Sequence, residues 1–210
     1  MQLDALPLFP LAIVLYPDEV LPLHIFEGKY IDLISDCLQQ KVPFGIVLIT
    51  DGKLKEIGCT AGISKVTDSF EDGRKNVIVT GLERFRITHV YHSRTYLTAD
   101  FETVIDQKEQ SKNELIERLI AQHIKLLELA GRTPSPSLYQ DRNRLSYFIA
   151  HNAGLTLEQK QNVLEDDAES SRIKYLIDHL QQFIPAVEEA ESIRKQIRTN
   201  GHFKDFPPES

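Results

Sequence analysis

A chain of 210 residues, 41% hydrophobic and 26% charged, holds enough apolar mass for one large core or two small ones, which excludes a largely disordered polypeptide. Its formal net charge of -7 repels phosphate backbones and no Lys/Arg cluster offsets it, so nucleic acid is not an expected partner. Two cysteines, Cys37 and Cys59, outside any CxxC pair, exclude a disulfide framework and fit free thiols in a reducing cytosol.

The opening residues Met1-Gln2-Leu3-Asp4-Ala5-Leu6-Pro7 have neither a basic n-region nor an apolar h-region. Nothing approaches the roughly 20 apolar residues of a membrane span. A cytoplasmic protein with no membrane partner is expected. The next stretch is dense in apolar residues: Phe9, Leu11, Ile13, Leu15, Leu21, Leu23, Ile25 and Phe26 exceed the inner face of one short strand. Most must be core. The excess predicts an exposed apolar patch, the kind of surface that binds polypeptide. Prolines 7, 10, 17 and 22 argue against a central strand here and for an edge that accepts an extended peptide by strand addition.

A helix is predicted over residues 27–40, where Tyr30, Ile31, Leu33, Ile34, Cys37 and Leu38 form an apolar stripe that Pro43 terminates. The apolar run 44–49 reads as a fully buried strand, and 57–66 as a weaker one. Asp72-Gly73 signals a hairpin between 64–70 and 76–80. Val77, Val79, Leu82, Phe85 and Ile87 are core candidates. Arg84 and Arg86 read as a solvated strand face with cross-strand ion pairs, or else as an anchor for an acidic partner. After a turn at Ser93-Arg94, residues 96–104 alternate as a half-buried strand.

The composition changes near Gln107, and the polar stretch 106–113 is the expected linker into a helical half. Ser111 with Glu114 fits a capping box and Gly131 a left-handed stop, around a stripe of Leu115, Leu119, Ile120, Ile124 and Leu127. A second helix is predicted over 139–153, ending at Gly154, and a third starting at Thr156 with Gln159 as its capping partner. The fourth runs from about 167 to 198 on Ile173, Leu176, Ile177, Leu180, Ile184, Val187 and Ile193, with a kink at Pro185. Residues 201–210 are expected to be a flexible tail.

Chemistry is sparse. His24 and Glu27 lack converging partners for a metal or acid–base role. His89 and His92 fall on opposite faces of a strand. The Ser-rich 133–137 loop has no GxSxG elbow, and no GxxxxGK followed by Ser or Thr occurs. No catalytic, cofactor-binding or metal residue is assigned.

Several stretches in order resemble the N-terminal, substrate-binding domain family of Lon proteases. They are Leu6-Pro7-Leu8-Phe9-Pro10-Leu11, Leu21-Pro22-Leu23-His24-Ile25-Phe26-Glu27, Phe44-Gly45-Ile46-Val47, Ile57-Gly58-Cys59, Gly81-Leu82-Glu83-Arg84-Phe85-Arg86-Ile87 and Leu155-Thr156-Leu157-Glu158-Gln159-Lys160-Gln161. Lys29 and Asp18 depart from the family's usual Arg and Gly. The resemblance implies an α+β fold: an N-terminal PUA-like β pseudo-barrel with one helix over residues 1–106, then a C-terminal α-helical bundle with a long last helix over 112–200. It also implies a non-catalytic, adaptor- or chaperone-like module whose partner is unfolded or client polypeptide, with no ATPase or peptidase part. Phe9, Leu11, Tyr16, Leu23, Phe26 and Phe183 are the peptide-binding candidates. The alternative is a small-molecule enzyme using a cleft between barrel and bundle.

Overall fold

The elements follow the hydropathy pattern closely up to residue 104. The computed structural model describes residues 5–107, 111–140 and 144–200. Strands β1 (Leu6–Leu11) and β2 (Val20–Ile25) precede helix α1 (Gly28–Gln40). Then come β3 (Phe44–Thr50), β4 (Lys53–Leu54), β5 (Ile57–Ser69), β6 (Lys75–Tyr91) and β7 (Thr98–Thr103). Helices α2 (Asn113–Leu129), α3 (Leu145–Asn152), α4 (Leu157–Glu165) and α5 (Glu169–Asn200) follow, with a 3-10 turn at Pro136–Tyr139. This is the α+β order expected: a sheet ring with one helix, then a helical region ending in a long helix.

The ring runs β1-β7-β6-β5-β3 and closes because β1 also pairs with β3, in parallel. The prolines of β1 therefore do not hold it at an edge, contrary to the sequence expectation. Leu8 N–H donates to Leu97 O (2.8 Å), so the amides of even-numbered residues face β7 and those of odd-numbered residues face β3. Pairing with β3 begins at Leu8↔Gly45 and pairing with β7 covers Leu6 and Pro7. Pro7 faces β3 just before that ladder begins, and Pro10 faces β7 beyond the end of the other. Each proline stands where no donor is required.

The long strand β6 serves two neighbours in succession. Its first part, Lys75 to Thr80, pairs with β2, and its second part, from Phe85 onward, pairs with β7. Among the described residues β2 has no partner besides β6. The β5–β6 hairpin turns at Asp72-Gly73 as expected. Gly73 takes φ 89° and donates to Phe70 O (3.0 Å), while Phe70 N–H bonds Arg74 O (2.9 Å).

Helix α1 buries Leu33, Ile34 and Cys37 against a core that includes Phe9, Leu15, Ile25, Phe44, Ile46, Val77 and Val79. It ends at Lys41, whose left-handed backbone (φ 56°) donates its N–H to Cys37 O. A second cluster, Leu6, Leu8, Phe85 and Ala99, packs beside it. Gly58 makes room for the Phe85 ring: a Cβ there would lie 2.4 Å from Ile46 O and 2.9 Å from the ring. Leu82, expected in the core, is instead about two-fifths exposed (40%).

The molecule groups into two compact units that are not consecutive halves of the chain. One takes the described residues of Met1–Glu109 together with Arg144–Glu169; the other takes those of Gln110–Asn143 and Ser170–Ser210. Helices α3 and α4, expected in the helical half, thus belong with the sheet. Specific contacts fix them there: Tyr147 of α3 stacks on Tyr16 at 5.2 Å, and for α4 Tyr16 Oη donates to Lys160 O (3.0 Å) and Gln161 Nε2 to Ile57 O (2.9 Å). The Thr156–Gln159 capping box forms in full.

In the second unit α2 starts one residue later than predicted, with Lys112 at the cap and no side-chain capping bond, so Ser111 and Glu114 form no box. Its buried stripe is Ile116, Leu119, Ile120, His123, Leu126 and Leu127, rotated from the predicted one. Gly131 (φ 72°) closes it: Arg132 N–H reaches Leu127 O (2.9 Å). Of the predicted helix over 139–153, Tyr139 ends the 3-10 turn and Leu145–Asn152 form α3, while 141–143 lie outside the described residues. Helix α5 buries Ile173, Leu176, Ile177, Leu180 and Ile184 and continues past Pro185, but Ile193 is exposed. The expected tail, 201–210, lies outside the described residues.

Candidate binding surface on the sheet

Strand β2 alternates. Leu21 and Leu23 face the core as partly buried side chains and Ile25 is fully buried, while Val20, Pro22 and His24 face outward. Their partners on β6 follow the same alternation, with Val77 and Val79 inward and Asn76 outward. This face is what a two-residue period dictates for a half-buried strand.

At the end of β2 the chain leaves the sheet through Phe26, which is 62% exposed. Its ring stacks on His24 at 5.7 Å, and His24 meets the edge of Phe70 at 6.5 Å. Phe70 sits at the tip of the β5–β6 hairpin, 42% exposed, with the Arg74 guanidinium over its face at 5.2 Å. His24 Nδ1 donates to Asn76 Oδ1 (2.6 Å), and Asn76 Nδ2 donates to Asp68 Oδ2 (2.9 Å). Asp72 accepts from Arg74 Nε (2.6 Å). The polar groups thus brace the rings while the rings themselves stay open to solvent.

Of the six sequence candidates, Phe26 alone is prominently exposed in this unit. Phe9 is 4% exposed and packs on Tyr30 at 4.0 Å and on Phe44 at 6.1 Å. Tyr16 is 1% exposed and stacks on Tyr147 at 5.2 Å. Both are core residues with no surface to offer. Leu11 and Leu23 are partly buried against the same core. Phe183, in the other unit, is half-buried and stacks on His179 at 5.3 Å. Sequence reasoning missed Phe70, because it flanks a turn, and set His24 aside as structural once no partners for a metal or acid–base role were found. Their proximity to Phe26 follows from the register His24↔Asn76 and Ile25↔Lys75.

The sheet unit holds little reactive chemistry. Burial, with Asp36 adding repulsion, pushes the Cys37 thiol up to about 12, and burial pushes Cys59 equally far. Both stay protonated and unreactive at neutral pH. Among the described residues no group of three or more His, Cys, Asp or Glu could hold a metal ion. No described helix is long and apolar enough to cross a membrane. Arg84, expected on a solvated face, is 2% exposed. It donates to Leu164 O (2.8 Å) and Asp166 O (2.9 Å) and pairs with the Asp106 carboxylate. It is an interior clamp and cannot anchor an acidic partner.

Comparison with known proteins agrees with the architecture. The chain is 27% identical to a Lon protease of Dictyoglomus thermophilum over 93% of its length. It is 30% identical to Lon protease 2 of Myxococcus xanthus over 84%. These alignments take in 26% and 23% of the two relatives, so the chain spans about a quarter of their length. Among solved structures it is similar to a Lon N-terminal domain protein from Xanthomonas campestris (TM-score 0.68, 24% identity, 84% of this chain and 98% of that one). It is also similar to the N-terminal domain of a Mycobacterium avium complex Lon protease (TM-score 0.61, 20% identity, 85% and 98%). The profile of the ATP-dependent protease La (LON) substrate-binding domain matches residues 5–182. The chain belongs to the LON substrate-binding domain family.

Proposed function

We propose that the sheet unit is a non-catalytic polypeptide-binding module that takes extended, unfolded segments along β2, with Phe26 and Phe70 as apolar anchors. The observation that carries this reading is the exposed aromatic cluster beside a strand whose second edge has no partner among the described residues. The family's description as a substrate-binding domain points the same way. Strand addition supplies backbone hydrogen bonds without regard to sequence, and the rings supply apolar contact. Burying one client aromatic side chain contributes roughly 1.5–3 kcal/mol, and association costs absorb much of a few such contacts, so affinity is on the order of micromolar. Such binding suits an adaptor- or chaperone-like role in which many clients are held briefly.

Two labelled peptides, one apolar and unfolded, one charged and polar, test this by fluorescence anisotropy at low and high salt. The apolar peptide binds more tightly at both salt levels, and Phe26→Asp weakens it by about tenfold. N-methylation of alternate backbone amides in the peptide weakens it as well, because a guest strand loses its donors. Equal affinity for both peptides, or binding abolished by salt, sinks the reading.

A further inference from the structure

A cavity of about 330 Å³ opens on the same unit, close to the start of α1. Its wall joins three side chains able to carry positive charge, Lys29, His92 and Arg94, to an apolar part formed by Tyr30, Ile49 and Leu97. No Asp or Glu is among the residues that line it. Carboxylates answer two of the cations from outside the cavity. Glu27 lies 3.2 Å from Lys29, both half-exposed, and Asp36 lies 3.4 Å from Arg94. Asp36 also accepts from Tyr96 Oη (2.5 Å), which fixes that carboxylate. Lys29 and Tyr30 belong to the first turn of a 13-residue helix, so the positive end of its dipole adds to the same field.

We propose that this groove takes the free C-terminal end of a polypeptide whose last residue is apolar. A terminal residue carries its α-carboxylate and its side chain on one carbon. It therefore presents an anion and an apolar body a few ångströms apart, as the two parts of the wall require. An internal peptide segment brings no such charge unless it is acidic, and an acidic side chain brings no apolar body. The volume lies at the small end of ligand sites, about 300–1,000 Å³, and suits a chain end better than a folded surface. The groove adjoins the surface already described: Phe26 and Lys29 are three positions apart, at most about 11 Å of chain. The inference rests on the polypeptide-binding reading and adds a preference for chain ends to it.

The test is a two-dimensional amide NMR titration of the full chain with a seven-residue apolar peptide ending in leucine. The peptide is supplied once as the free acid and once as the C-terminal amide, with N-acetyl-leucine as a third probe. The free acid shifts amides at 29–31 and 94–97 as well as those at 20–26, and binds about 3–10-fold more tightly than the amide. Lys29→Gln, which removes the exposed ion pair with Glu27 and the cation over the Tyr30 ring (4.6 Å), brings the acid down to the affinity of the amide, and His92→Gln moves it in the same direction. Equal affinity of acid and amide, with shifts confined to 20–26, overturns the groove and leaves the edge-binding reading standing. Peptides that shift neither stretch overturn both. N-acetyl-leucine saturating the groove as tightly as the peptide acid makes the occupant a small apolar carboxylate and overturns the chain-end assignment.

Discussion

Arg84 carries its guanidinium into the interior of the sheet unit and spends its donors on Leu164 O, Asp166 O and the Asp106 carboxylate. Replacing it with alanine removes a buried cation that serves two carbonyls and the Asp106 carboxylate at once, so Arg84→Ala is expected to cost about 3–5 kcal/mol in urea denaturation. Arg86, two residues on, bonds Glu56 at 3.1 Å in the open, and Arg86→Ala is expected to change stability by no more than about 0.5 kcal/mol. Similar losses for the two variants would contradict the clamp. In the helical unit, His123 is fully buried with Nδ1 at 2.8 Å from Tyr139 Oη, and burial lowers its pKa from 6.5 to about 4. The unfolded chain thus takes up this proton at a higher pH than the folded one. Its contribution is fully present above 6.5, falls as the pH drops from 6.5 to about 4, and levels off below. Between about pH 7.5 and about pH 5 the loss is roughly 2 kcal/mol, and His123→Gln should flatten it. An unchanged pH slope in the variant would assign the effect elsewhere.

Among the elements, β2 and β6 are locked to the segment that follows β1 through Gly81. A Cβ at that position would stand 2.0 Å from Tyr16 O, and Gly81 N–H and O bond Glu19 O and Asp18 N–H, both at 2.9 Å. Gly81→Ala is expected to lower stability by about 3 kcal/mol in thermal melts, since the obstructing atom is backbone and cannot swing aside. A variant with wild-type stability would mean the 12–19 segment yields easily. Elements with a local cause were legible in the sequence. The α1 stripe, the Asp72-Gly73 turn and the Thr156–Gln159 box each depend on residues within a few positions of one another. What was not legible depends on partners far along the chain. Nothing near Pro7 and Pro10 reveals that their missing donors fall outside both ladders. Nothing near Arg84 reveals carbonyls about eighty residues away. The binding surface was half legible: the apolar excess of the opening segment pointed to Phe26, but only the strand register brings Phe70 beside it.

For the whole molecule, the sequence-based boundary between 106 and 112 would cut Arg84, Tyr16 and Ile57 off from Asp166, Lys160 and Gln161. A fragment of residues 1–106 is therefore expected to lack a cooperative thermal transition by circular dichroism, whereas residues 1–169 should retain one. A sharp transition in the shorter fragment would show the ring to be self-sufficient. The Arg84 clamp also has a meaning for synthesis on the ribosome. By the time β7 is made, every strand of the ring exists, yet the buried cation still lacks the carbonyls of Leu164 and Asp166. At about 5–20 residues per second the intervening stretch takes on the order of ten seconds or less. Through that interval Arg84 has the Asp106 carboxylate but neither of its carbonyl acceptors, so the nascent ring is expected to reach its final packing only once residue 166 has been added.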